Sequence, residues 1–319
     1  MKEFQLIEKY FKPLTESHKA AQNLADDVAK IRLKNDEELI ISTDIIVEDV
    51  HFLRQDGAFK IASKLLRVNL SDLASSGAKP LHYVLGFSKN KNTDESFFLE
   101  FARGLKSLQD EFGLCLIGGD TVSSDKLFFS VTIFGVAKKG EILSRSQAQV
   151  GDLIFVSGTI GDAFLGRTLP NCEKYLRDRH FFPTPRIKLG EQLLKKKLSQ
   201  CAIDISDGLL ADLRHICQSS ELAAEINLDQ IPLSASAKKI LQKNSQIKIL
   251  DLASAGDDYE LIFSVNPRNL QKIYRLRKAL DLDLTCIGEF KNSDDKKFSL
   301  DVYDKKNQKI QIKKFGYEH

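Results

Sequence analysis

Glycine and proline are scarce in this chain, 18 and 7 of 319 residues, about 8% together against a usual share of roughly 12%. Collagen-like, linker-like and low-complexity architectures are therefore excluded. Cysteine is sparse too. Cys115, Cys172, Cys201, Cys217 and Cys286 form no C-x-x-C pair, and six scattered histidines add no zinc-ligand spacing. An odd number of cysteines without a framework predicts a reducing compartment. Excess charge of one sign is also missing. Lys+Arg is 47 and Asp+Glu 44, a net charge of +3, which excludes a basic nucleic-acid binder and an acidic tail. No run reaches the ~18 apolar residues of a membrane span. The longest candidate, Leu127 to Ala137, is broken by Ser130, Thr132 and Gly135. Met1 to Phe11 is charged every few residues and lacks the apolar centre of a signal peptide. These absences predict a cytoplasmic protein with no nucleic-acid or membrane partner.

What is present is a mixture of elements. A chain of 319 residues has room for about two domains. Glu38 to Ser42 reads as a buried strand, and Ala58 to Ala74 carries Ile61, Leu65, Val68 and Leu73 at helical spacing. Thr93 or Asp94 caps a helix with the apolar face Phe97, Phe101, Leu105, Leu108 and Phe112, and Gly113 ends it. Leu114 to Ile117 and Leu127 to Ala137 follow as strands. A turn at Lys138 to Glu141 sets the domain boundary between about 138 and 150. Beyond it, Leu153 to Ser157, Cys201 to Ile205 and Tyr259 to Val265 read as strands. Pro185 to Lys197, Gly208 to Ser219 and a segment ending at Leu280 read as helices, and the residues past 300 as strand-like. No fixed-period repeat occurs. The pattern predicts an α/β protein with mixed α+β sheets in two domains, 1–140 and 141–319.

The chemistry lies in a recurring phrase, apolar residues followed by small or hydroxyl residues and then Asp. It appears as Ile41-Ser42-Thr43-Asp44, Asn69-Leu70-Ser71-Asp72, Ile117-Gly118-Gly119-Asp120 and Asp204-Ile205-Ser206-Asp207, with doublets at Asp26-Asp27 and Asp257-Asp258. The spacing predicts that most of these acids stand where a core element meets its loop. Each alone reads as a cap or turn residue. Together, converging carboxylates repel unless cations neutralise them. Oxygen donors, Ser and Thr hydroxyls included, suit Mg²⁺, which shares its shell with phosphates. The expectation is a multi-Mg²⁺ site for a polyphosphate. Gly118-Gly119 lets a backbone approach a phosphate closely, and a tight turn explains the pair equally well. Arg145 is either a bidentate phosphate clamp or a surface arginine. There is no P-loop, no G-x-G-x-x-G and no kinase H-R-D or D-F-G. The D-x-D-x-T phrase at Asp281 follows a basic helical stretch, not the strand that aspartyl-phosphate chemistry needs.

These phrases together resemble the thiamine-monophosphate kinase family, of the aminoimidazole ribonucleotide synthetase-like fold group. The match runs in order through Asp26-Asp27, Ser42-Thr43-Asp44, Val47-Glu48, His51-Phe52, Val68 to Ala74, Gly77 to Pro80 and Leu116 to Thr121. It continues through Ser144 to Ser146, Gly151-Asp152, Gly158 to Asp162, Ile203 to Leu209, Gly256 to Leu261 and Gly316-Tyr317. The resemblance implies ATP-dependent phosphorylation of thiamine monophosphate to thiamine diphosphate. Since the attacking phosphate oxygen is already charged and needs no general base, direct in-line transfer is expected. It implies several Mg²⁺ ions on Asp27, Ser42, Thr43, Asp44, Asp72, Asp120, Asp204 and Asp207. It implies ATP against Gly118, Gly119, Asp120, Arg145 and Ser206, and the thiamine part near His51, Asp257 and Tyr317. It also implies a homodimer joined through first-domain sheets. Ala25 and Ala255 stand where family members often have glycine, a restriction if those positions need φ > 0. The alternatives are another ATP-dependent enzyme of the fold group, activating an amide or formyl oxygen, a metal-dependent phosphatase, or a nucleotide-binding protein without catalysis.

Overall fold

A computed structural model describes residues 3–293 and 298–317. The chain divides into two compact units. The first is Met1–Leu73 with Ala78–Gly140, and the second is Glu141–His319 with the short Ala74–Gly77 stretch.

In the first unit α1 (Glu3–Leu6) runs into irregular helical turns as far as Leu24. Then come β1 (Glu37–Val47), α2 (Ala58–Ser76), β2 (Lys79–Lys89), α3 (Glu95–Phe112), β3 (Cys115–Ser123) and β4 (Phe128–Lys138). The four strands form one sheet in the order β1-β4-β2-β3. β4 is antiparallel to β1 and β2, and β2 is parallel to β3. Pro80 is tolerated in a central strand because the ladder slips beside it, between Pro80 and His82. α3 starts where Asp94 accepts the Phe97 N–H at 2.9 Å and stops at Gly113, φ 68°. Its buried face stacks Phe101 on Phe129, centroids 4.4 Å apart.

β1 and β3 both extend past their predicted ends. For three of the acids this corrects the expectation of a place where an element meets its loop, while Asp26, Asp27, Asp207 and Asp257 stand between elements as expected. Asp44 lies within β1, Asp72 within α2 and Asp120 within β3.

The second unit holds β5 (Leu153–Ser157), α4 (Asp162–Thr168), α5 (Lys174–Phe181), α6 (Ile187–Lys195), β6 (Ala202–Asp204), α7 (Leu209–Ser220), β7 (Ala223–Asn227), α8 (Ala235–Lys243), α9 (Ile249–Ala253), β8 (Leu261–Val265), α10 (Leu270–Leu280), β9 (Leu284–Lys291) and β10 (Ser299–Tyr303). The sheet order is β10-β7-β9-β5-β8-β6. Among the described residues of this sheet only β7 and β10 pair in parallel. Ile154, Val156, Ile203, Leu213, Ile216 and Ile262 are among its buried core.

Candidate functional site

Ser42 and Asp44 are two residues apart on a strand, so their side chains leave the sheet on one face. Asp72, from α2, meets them there. The Ser42 hydroxyl donates to the Asp72 carboxylate in a close contact. Burial pushes the Asp44 carboxyl up to about 7, helped by the charge of Asp72 and by a hydrogen bond to it. Two carboxyl groups so close cannot both ionise cheaply; they share a proton or take a cation. Thr43 falls on the opposite face. Its hydroxyl donates to the Val131 carbonyl and meets the Thr132 hydroxyl, each at 3.0 Å.

Asp120 stands elsewhere. It pairs with Gly86, which pairs with Ser130 and then Ile45, one row along from Asp44 and three strands away, about 14 Å at ~4.8 Å per strand. Its Oδ1 accepts the Thr121 N–H at 2.8 Å. Asp26, Asp27, Gly118, Gly119 and Asp120 share the wall of a cavity of about 180 Å³. The first unit therefore sorts the expected acids into two groups rather than one. Gly119 is demanded by its neighbour strand: a Cβ there would lie 2.1 Å from the Leu85 carbonyl oxygen. His51 folds back on the end of β1, its Nδ1 accepting the Val47 N–H at 3.1 Å.

In the second unit three segments are laced by backbone hydrogen bonds. The Asp257 N–H donates to the Ser206 carbonyl (2.9 Å), Tyr259 to Ile205 (2.8 Å), Ile205 to Glu260 (2.8 Å) and Tyr317 to Asp207 (2.9 Å). This brings Asp204, Ser206, Asp207, Asp257 and Tyr317 to one place. Beneath them is buried Asp212, which the sequence reading missed. Its Oδ2 accepts the N–H groups of Ser206, Asp207 and Gly208, each at 3.1 Å. Those amides are spent on Asp212, so the loop offers an incoming ligand carboxylates and the Ser206 hydroxyl. Burial, then the charges of Asp204 and Asp207, raises the Asp212 carboxyl well above its ordinary value. Excess negative charge again fits a cation. The only advance signal was an acid in the first turn of a helix that follows two others.

The second doublet splits its duties. Asp257 meets Arg167 and His180, both at 3.5 Å. Asp258 turns inward and accepts the Gly161 N–H at 2.8 Å. Glu260 is wholly buried and takes Arg179 at 2.8 Å, Arg186 through two bonds of 2.6 and 2.5 Å, and the Ser157 hydroxyl at 2.5 Å. Arg145 is not brought to this loop. Its carbonyl accepts the Ser220 hydroxyl at 2.9 Å, at the far end of α7, a helix about 18 Å long. Ala25 has φ −106°, and Ala255 is absent from the positive-φ positions, so neither alanine is strained. The left-handed residues are Gln22, Asn23 and Leu24 before the first doublet and Asp257 and Tyr259 around the second.

Comparison with known proteins adds the following. The model of the AIR synthase related protein N-terminal domain matches residues 25–137, and that of its C-terminal domain matches residues 149–301. The thiamine-monophosphate kinase of Haemophilus influenzae is 36% identical over 299 residues, covering 91% of this chain and 89% of that one. A crystal structure of thiamine-monophosphate kinase from Stenotrophomonas maltophilia K279a superposes with a TM-score of 0.83 at 34% identity, over 95% of this chain and 96% of that one. AaThiL complexed with AMPPCP and TMP gives 0.77 at 28% identity, over 99% and 97%.

Proposed function

The chain belongs to the thiamine-monophosphate kinase family, and from that membership we propose that it transfers the γ-phosphoryl group of ATP to the phosphate of thiamine monophosphate, giving thiamine diphosphate. The observation that carries this reading is the Asp44–Asp72 carboxyl pair with Ser42 bonded to it. It is an oxygen-only donor set with surplus negative charge, which fits Mg²⁺ and not a soft metal.

The proposed Mg²⁺ ligands are Asp27, Ser42, Thr43, Asp44, Asp72 and Asp120 in the first unit and Asp204 and Asp207 in the second. Ser42, Asp44 and Asp72 are supported as a set by their mutual contacts. Thr43 joins them through its hydroxyl only by leaving Val131 and Thr132. Bound Mg²⁺ supplies neutralisation of phosphate charge and alignment of the phosphoryl oxygens. Gly118, Gly119, Asp120 and Ser206 are proposed for the nucleotide, and Arg145 after a movement of its segment. His51, Asp257 and Tyr317 are proposed for the thiamine part. The nucleophile is a phosphate oxygen already charged, so no side chain need act as a general base, and alignment is the main task.

Incubation with ATP, Mg²⁺ and thiamine monophosphate tests the reading directly. Thiamine diphosphate should appear, and no other phosphate or amide acceptor should react as fast. A chiral γ-phosphoryl group should emerge inverted; retention counts against a single displacement. We also infer a homodimer formed through the sheet face that carries Ile41 and Ile45, both 56% exposed in the middle of β1. For the compartment we infer the cytoplasm, supported by five free thiols. Among the described residues no helix is long and apolar enough to cross a membrane.

A further inference from the structure

Away from the acids, the first unit gathers two histidines and a cysteine that phosphoryl transfer does not use. His82 on β2 and Cys115 on β3 are paired directly across the parallel ladder, so both project to the same face. Both are buried. Cys115 Sγ lies 3.3 Å from His82 Nδ1. The ring of His18 covers that of His82, centroids 4.5 Å apart. One ligand atom from each of the three lies within 4.8 Å of the other two. Zinc–sulfur and zinc–nitrogen bonds of ~2.3 and ~2.0 Å, set tetrahedrally, put ligand atoms about 3.3–3.6 Å apart. The His82–Cys115 pair already has that spacing, and His18 closes the set with a small movement.

We propose that His18, His82 and Cys115 bind one zinc-class divalent cation, with a fourth position left to water. Two imidazoles and a thiol are borderline-soft donors that Mg²⁺ avoids, so this site and the carboxylate groups select different ions. Burial holds the His82 ring down at about 4 and the Cys115 thiol up at about 11, so without metal these two buried groups are uncharged near neutral pH. Coordination releases the Cys115 proton to solvent. A cost is visible at His18, whose Nδ1 accepts the Ala20 N–H at 3.2 Å and gives up that bond if it turns to the ion. The sequence hides the site because its members are 64 and 33 residues apart. A cation there would tether the near end of the segment whose far end carries Asp26 and Asp27.

Cobalt(II) titration of the full chain is the test, because a thiolate ligand gives a near-ultraviolet sulfur-to-metal charge-transfer band that oxygen ligands do not. One equivalent should raise the band, zinc should erase it, and Cys115→Ser should abolish it. His18→Gln, at an exposed side chain, should weaken cobalt binding about tenfold or more, with circular dichroism and Mg²⁺-dependent turnover unchanged. The proposal falls if no thiolate band appears at saturation. It also falls if the band survives Cys115→Ser, which would put the metal on another thiol, or if His18→Gln binds cobalt as tightly as the parent.

Discussion

Asp44 ties protonation to both folding and activity. Its carboxyl titrates at 3.8 in a free chain and at about 7 in the fold. Between those values the native protein holds a proton that the unfolded chain has lost. Stability of the metal-free protein should therefore fall as pH rises from about 4 to about 7, and the whole penalty should be present above that. Asp44→Asn removes the titrating group while keeping its shape. In the presence of chelator the variant should melt a few degrees above the parent at pH 8, and the two should converge near pH 4. Its turnover should drop by about a hundredfold or more, since a ligand is lost outright. A variant that melts lower than the parent at pH 8 would sink the shared-proton account. Near-normal turnover would remove Asp44 from the proposed site.

At the scale of elements, two loops are held from beneath by groups that never need to touch a ligand. Glu260 anchors the segment that presents Asp257, and its two arginines leave it fully compensated. Glu260→Gln keeps the volume and removes the charge, leaving Arg179 buried without its partner. That should cost about 3–5 kcal/mol, read as a lowered denaturant midpoint. Less than about 1 kcal/mol would mean that the arginines find other partners. The C-terminal segment is a different case. A Cβ at Gly316 would sit 2.4 Å from Ala211 Cβ and 2.6 Å from the Asp207 carbonyl oxygen, and neither can retreat. Gly316→Ala should push Tyr317 off Asp207 and break one backbone hydrogen bond, worth roughly a 3- to 10-fold rise in KM for thiamine monophosphate. The melting temperature should barely move. An unchanged KM would take Tyr317 out of substrate binding.

At the scale of the whole molecule, the first unit leaves branched apolar side chains on the open face of an edge strand, where water gains nothing from them. If two copies cover that face, Ile45→Asp should give a folded monomer, because Ile45 is exposed within the protomer. Light scattering after size exclusion should report half the parent mass, with the circular dichroism spectrum retained. A parent that already runs as a monomer, or a variant that stays a dimer, moves the interface elsewhere.

The two-domain α/β architecture, the capped helix from Asp94 to Gly113 and the order of the acidic phrases were legible because they are local. Periodicity, caps and turn residues act over a few positions, and the chain spells them out. β2 and β7 were not read, since strand pairing draws its energy from partners far along the chain. The site followed the same rule. Sequence alone singled out Asp44, Asp72, Asp204 and Asp207 as acids in a repeated setting. It could not say that Ser42 would face Asp72 while Thr43 turned to the other side, because the local signal carries the strand only to Ser42, and alternation orders only residues known to lie in it. Nor could it find Asp212, Glu260 or the meeting of His18, His82 and Cys115. Which charges share a proton, which are neutralised and which nitrogens approach a thiol are matters of distance and dielectric, and only the folded chain sets both.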